Sequence, residues 1–303
     1  MTEGGEKRKS EAKDGRRSKK YQHDRFNQLT PGAVGVIVTC VRGKEKAAEK
    51  DAIEMILDSN YVKSLQAALP ELTPVEVSDA EEDIEASIAQ ELDSLKEARA
   101  PQKGKPALLI PLKTNLECVV FIKTAKEINP VLLVADLCQA QLAQPGKKLG
   151  GRFVRRLTPI SASADASITG LKTCLERVLP SVFSCRDPNA AGVDAESGES
   201  SAKTDEEQRQ TIVKRQYRVE PTFRNQDQLT RDMVIPETAS QVMRLGAHQV
   251  NLKAYDCIIL IEAIRGFLGV SVVEKFDVLR KLNLQELCEK GEAPRQVLDK
   301  TEN

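Results

Sequence analysis

Gly151-Arg-Phe-Val-Arg-Arg-Leu-Thr-Pro-Ile160 reads as a strand carrying three arginines on an apolar stem, and Lys214-Arg-Gln-Tyr-Arg218 repeats the pattern in a second strand after an intervening helix. Basic side chains on such stems suit a surface that holds phosphates. Each neutralised phosphate releases condensed counterions, and that release supplies most sequence-independent nucleic-acid affinity. The first strand also divides the chain, with one α+β unit before it and another beginning at it. No matching set of catalytic residues accompanies it, so the first expectation is a binder.

Composition sets the bounds. The chain has 303 residues, room for one large domain or two small ones. Its 40% hydrophobic and 30% charged residues describe ordinary cores under a charged surface. Formal net charge is zero, so any basic face must be local and balanced elsewhere. Glu71 to Arg99 is strongly acidic, centred on Glu81-Glu82-Asp83, while Lys7 to Arg25 is basic. The field near a patch governs capture, so neutrality overall does not argue against nucleic acid. Seven scattered cysteines without a C-x-x-C pair read as reduced thiols in a cytosolic or nuclear protein. Two histidines are too few for a Cys/His zinc site of standard spacing. No apolar run approaches the roughly 18 residues needed to span a bilayer, so no membrane role is expected.

Residues 1–31 are polar and Gly-punctuated and read as a disordered basic arm. Lys7-Arg-Lys9 and Arg16-Arg-Ser-Lys-Lys20 within it suit a bipartite nuclear import signal or a non-specific RNA arm. A strand over 34–41 and a helix over 44–57 follow, with Ala48, Ala52, Ile53, Ile56 and Leu57 on one helical face. Arg42-Gly-Lys-Glu45 between them is not a phosphate loop, because Val38 and Glu45 stand where a Walker A needs Gly and Ser or Thr. An acidic helix carries Ile84, Ile88, Leu92 and Leu95 on one side. Strands over 107–111 and 117–123 precede a helix that Asn129 caps and Pro130 begins. Residues 34–143 thus read β-α-insert-β-β-α, which suits a ferredoxin-like unit spanning 32–146.

The second unit is expected over 147–276. Asp165 caps a helix with Ile168, Leu171, Leu175 and Val178 inward, and 186–209 reads as a disordered loop. In the strand from Thr211, Val213, Tyr217 and Val219 point one way and Lys214, Gln216 and Arg218 the other. A helix over 231–245 contains Pro236, and segments 255–262 and 267–273 form a hairpin around Arg265-Gly266. Residues 277–303 read as a short helix and a polar tail.

This succession resembles a THUMP family. Phe121-Ile-Lys-Thr124, Asn129-Pro130, Arg155-Arg-Leu-Thr-Pro159, Tyr217-Arg-Val219 with Arg224-Asn225, and His248-Gln-Val-Asn-Leu-Lys253 before a Tyr-Asp-x-Ile-Ile-Leu hairpin carry it, with Gly35-x-x-x-Thr-Cys-x-Arg-Gly-Lys-Glu45 at the start. Over about residues 32–276 the chain is similar to the stand-alone THUMP proteins that assist tRNA cytidine acetylation in eukaryotes. The resemblance implies an α+β fold, an N-terminal ferredoxin-like domain packed on a C-terminal THUMP domain with disordered termini. It implies capture of the tRNA acceptor end, a partner RNA cytidine acetyltransferase that makes N4-acetylcytidine, and a nuclear setting, the nucleolus first and the cytoplasm also open. Asn251 departs from the family's usual acidic residue before Leu252, which puts one local hydrogen bond in doubt.

With the resemblance in hand, Lys147, Lys148, Arg152, Arg155 and Arg156 beside the Gly150-Gly151 turn are the first set of expected RNA contacts. Strand alternation cannot put Arg155 and Arg156 on one face, so one points elsewhere or lies at a bulge. Lys214, Arg215, Arg218 and Arg224 form the second set, with Lys253 and Arg265 as additions. Arg215 falls on the apolar parity, where pairing with an acid competes with RNA. Trp is absent and aromatics are 4%, which disfavours a stacking platform and favours shape and phosphate recognition. G-x-G-x-x-G and an ATP-binding Ser-Gly-Gly loop are missing, and the stretch after Lys275 is too short for a catalytic domain. The expectation is a non-catalytic accessory subunit without cofactor or metal, a monomer by default. A helper of a tRNA methyltransferase and a protein scaffold that binds no RNA stay open.

Overall fold

Val36, Val38 and Cys40 alternate inward along β1 (Gly35–Cys40), and β1 is the axis of the first sheet. The computed structural model describes residues 28–69, 73–75, 107–144, 146–149, 151–184 and 213–291. The basic arm up to residue 27, the acidic helix over Ile84–Leu95, the loop at 186–209 and the tail beyond 291 lie outside the described residues. After β1 come α1 (Glu45–Asp58), α2 (Asn60–Ala68), β2 (Thr73–Val75), β3 (Ala107–Leu112), β4 (Val119–Thr124), α3 (Pro130–Ala143) and β5 (Val154–Ile160). The strand order is β2-β3-β4-β1-β5, with β1 antiparallel to both β4 and β5. Without the outlying β2, this is the ferredoxin-like β-α-β-β-α-β unit. Capping fixes its helices where the sequence suggests: Asn129 Oδ1 accepts from the Val131 amide at 2.9 Å, with Pro130 in the first turn.

β5 corrects the expected boundary. The arginine strand, expected to open the second unit, hydrogen-bonds along β1 from Gly35↔Ile160 to Cys40↔Val154 and closes the first sheet. A strand's own pattern says which face is apolar, not which neighbour it pairs with. Val154 and Leu157 fill the core beneath α1 and α3, supplying the fourth strand that residues 34–143 lacked.

Beyond Ser161 the second sheet follows, built from β6 (Ala162–Asp165), α4 (Ile168–Val178), α5 (Pro180–Phe183), β7 (Gln216–Arg224), α6 (Arg231–Leu245), β8 (Gln249–Val250), β9 (Cys257–Ile264) and β10 (Phe267–Glu274). Its order is β6-β10-β9-β7-β8, with β7 parallel to β8 and β9. The β9–β10 hairpin turns at Arg265-Gly266 as expected, pairing Ile264 with Phe267. The N-cap of α4 is Ser167, whose Oγ accepts from the Gly170 amide at 2.9 Å, rather than Asp165. Tyr217, Val219, Ile259, Ile261 and Ala263 face α4 and α6, where Leu171, Leu175, Val234 and Val242 meet them.

The other face of the second sheet belongs to the first unit. Ile258 and Leu260 enter the core that holds Val154 and Leu157, while Ile264 and Phe267 pack with Ile37 and Phe121. The Phe121 and Phe267 rings meet edge-on at 5.6 Å between centroids. Ser161 bridges the sheets through its amide, which donates to the Val270 carbonyl at 3.0 Å. After β10, a short turn at Arg280–Leu282 leads into α7 (Leu284–Lys290). The short helix expected beyond 276 is therefore present, but Leu282, Leu284 and Leu287 are buried in the first unit's core, so it is no appendage.

Candidate nucleic-acid interface

The loop between α3 and β5 is held from below. Gln141 is fully buried, and its Nε2 donates to the Lys147 carbonyl at 2.8 Å while its Oε1 accepts from the Leu149 amide at 2.9 Å. Asp51 Oδ2 accepts from the Phe153 amide at 3.3 Å. Gly151, at φ +64°, passes so close that an added Cβ would lie 2.3 Å from the Asp51 carboxyl. This frame presents Lys147, Arg152 and Arg155 as exposed side chains. Lys148 is half-buried and donates to the Arg152 carbonyl at 3.2 Å, and burial, then the Arg155 charge, holds its ammonium below the usual lysine range. Beneath the loop runs a cleft of about 350 Å³ lined in part by Asp51, Glu54 and Asp58, so the basic rim stands over an acidic floor.

The bulge alternative for Arg155 is the one found. The β1–β5 register slips between Thr39↔Arg156 and Cys40↔Val154, leaving Arg155 as the extra, exposed residue. Arg156 stays in the ladder, turned from the helices towards the second sheet, and its Nε is buried. The first set thus divides: Lys147, Lys148, Arg152 and Arg155 share one rim, and Arg156 lies inside the seam between the sheets.

The second set spreads along β7. Lys214 is exposed just ahead of the strand, and Lys253 is exposed in the turn after β8. Asn251 makes that turn, its Oδ1 accepting from the Lys253 and Ala254 amides at 3.0 and 2.9 Å. An amide oxygen thus serves there as an acidic oxygen would. Arg215 pairs with Glu274 at 2.6 Å, as its parity suggested. Arg218 pairs with Glu220, its guanidinium 5.8 Å from the centre of the Tyr255 ring. Arg224 lies at the far end of β7, its Nε 3.5 Å from Glu262 Oε2. At the strand rise of about 3.3 Å per residue, Arg218 and Arg224 are about 20 Å apart, so the second set is not one patch. Arg265 extends to the first unit and donates to the Asn115 carbonyl at 2.8 Å.

Two further side chains stand near these sets. Glu262, one acid in an apolar strand, is 6% exposed and lies between the sheets. Burial raises its pKa, against the pull of Arg224 and Arg156. Lys281 is exposed in a turn where Arg280, Lys281 and Leu282 all take positive φ, beside the Arg156↔Asn283 bridge. Only non-local pairing brings it near β5.

The buried histidine and cysteines among the described residues have structural surroundings. His248 is buried and structural: Nδ1 accepts from the Arg215 amide at 3.2 Å, so Nε2 carries the proton that reaches the Phe183 carbonyl at 2.9 Å. Burial pushes the Cys40 and Cys174 thiols up to about 11 and Cys138 and Cys257 up to about 12, far from nucleophilic. Among the described residues no group of His, Cys, Asp and Glu is placed to share a metal ion. No helix among them is long and apolar enough to cross a membrane.

A profile of the family described as THUMP domain matches residues 200–273, the part of the chain that contains β7, α6, β8 and β9. Over that segment the chain is similar to the THUMP family. Similarity to eukaryotic THUMP relatives reaches well beyond the domain. The chain is 29% identical to a Saccharomyces cerevisiae protein named "tRNA acetyltransferase TAN1", covering 94% of this chain and 95% of that one. It is 25% identical to human "THUMP domain-containing protein 1", covering 99% of this chain and 77% of the relative. An uncharacterized Schizosaccharomyces pombe protein is 26% identical over 87% of this chain and 78% of its own length. The segment that the profile matches thus carries Lys214, Arg215, Arg218, Arg224 and Lys253, while Lys147 to Arg156 lie ahead of it.

Proposed function

We propose that this protein is an accessory subunit of tRNA modification, binding the acceptor end of tRNA and presenting it to a separate RNA cytidine acetyltransferase that forms N4-acetylcytidine. The observation that carries this reading is the near full-length similarity to the yeast protein whose name joins tRNA to acetylation. The exposed rim of Lys147, Arg152 and Arg155 and the exposed Lys214 and Lys253 support it with the charge that phosphate capture needs. The sequence gives no dinucleotide or ATP fingerprint, so the chemistry is assigned to the partner, with this chain non-catalytic and monomeric. The clusters Lys7–Lys9 and Arg16–Lys20 support action in the nucleus, the nucleolus first.

The test is depletion of the protein followed by measurement of N4-acetylcytidine in purified tRNA. Loss of the modification, restored by the intact chain, is expected. Unchanged modification would end the reading.

A further inference from the structure

Arg156 and Arg224 come from different sheets, yet one carboxylate stands between them. Glu262 Oε2 lies 3.5 Å from Arg224 Nε, and Arg156 is near enough for its charge to act on the same carboxyl. The Nε atoms of both arginines and Glu262 Oε2 are buried, and the long Arg224–Glu262 contact, with Thr222 also on the carboxyl, is what holds them. Buried polar atoms are nearly always well satisfied, so this loosely bonded cluster stands out. Glu262 sits opposite Thr222 on β7 and Gly269 on β10. Ile160 occupies the space over Gly269, where an added Cβ would be 2.7 Å from Ile160 Cδ1, and this brings the β5 face that bears Arg156 against the β9–β10 hairpin.

The charge count favours an anion. Two guanidinium groups face one carboxyl, so the cluster keeps an excess of positive charge even with the carboxyl ionised. With Nε inward, the exposure that Arg224 keeps, 30% of its side chain, falls on its stem and Nη atoms. Guanidinium forks of this kind match phosphate oxygens two at a time.

We propose that Arg156 and Arg224 form one phosphate seat across the seam between the two sheets, that Glu262 is the residue positioning both, and that the ligand is an RNA phosphodiester. This rests on the tRNA-binding reading and sharpens it, since two arginines assigned to separate sets act as a unit.

The test is equilibrium binding of the full chain to fluorescently labelled tRNA over a salt series, with Glu262→Gln, Arg156→Gln, Arg224→Gln and, as a control, the exposed Glu176→Gln. Removing an acid makes the protein more positive, so general attraction alone predicts that Glu262→Gln binds as tightly as wild type or tighter, like the control. The seat requires the opposite: affinity about tenfold lower and a slope of log affinity against log salt reduced by about 1, with each arginine variant matching it. Combining Glu262→Gln with either arginine change adds little, because the three act together. Wild-type affinity and slope in Glu262→Gln would overturn the seat, whatever happens to its thermal midpoint. Should that variant not fold, unchanged slopes in both arginine variants overturn it equally. If wild type shows no salt-dependent tRNA binding, the tRNA reading itself falls and the seat falls with it.

Discussion

Gln141 grips Lys147 by the backbone: the buried side-chain amide donates to that carbonyl at 2.8 Å and, from its other end, accepts from Leu149 at 2.9 Å. The basic rim is therefore attached to α3 and does not hang as a free loop. Gln141→Leu keeps the volume but orphans both groups, at a cost of about 1–3 kcal/mol. Urea denaturation should show that loss, and hydrogen exchange should show the Leu149 amide losing protection.

Arg155 separates binding from folding. It is the bulged, exposed residue of β5, so Arg155→Glu should leave the urea midpoint within error. The same change should weaken tRNA binding and reduce its salt slope by about 1 or more. Equal affinity of variant and wild type would remove the rim from the interface.

His248 makes stability depend on pH. Burial lowers its folded pKa, so the unfolded chain binds the extra proton and stability rises with pH between the two values. The contribution is full above the ordinary histidine value of about 6.5 and is lost as pH falls from there towards the folded value. Chemical denaturation between pH 5 and 8 should show this dependence in wild type. It should be flatter in His248→Gln.

α7 is a structural element of the first core, and Asn283 starts it. Asn283 Oδ1 accepts from the Gln285 and Glu286 amides at 3.2 and 3.3 Å. Asn283→Ala should cost about 1 kcal/mol. Removing residues 281–303 should do far more, exposing the core around Leu137 and Leu157, and circular dichroism of the truncated chain would show it.

Much of this arrangement was legible in the sequence because its causes are local. Asn129-Pro130 specifies a helix start, Arg265-Gly266 a hairpin turn, and parity left Arg215 open to pairing with an acid. The membership of β5 was not legible, since a strand's apolar alternation is the same whichever sheet it joins. The enclosure of Glu262 was not legible for a related reason. One acid in an apolar strand looks like an end, and only the approach of β5 from the other sheet encloses it. Leu282, Leu284 and Leu287 likewise look like a minor amphipathic turn until α3 and β5 are placed against them.

The crossing at Ser161, with the return of the chain through α7, has a consequence for how this molecule can choose its ligands. Two units joined by one loop could open and close like tweezers, adapting to whatever length of backbone lay between them. Here a strand passes from one sheet straight into the next and a helix comes back to plug the first core, so the spacing between the rim at Arg155 and the far lysines at 214 and 253 is set at folding. On the tRNA-binding reading, such a molecule would work as a gauge, accepting an RNA whose phosphates already stand at the right separation and rejecting one that would have to be bent to fit.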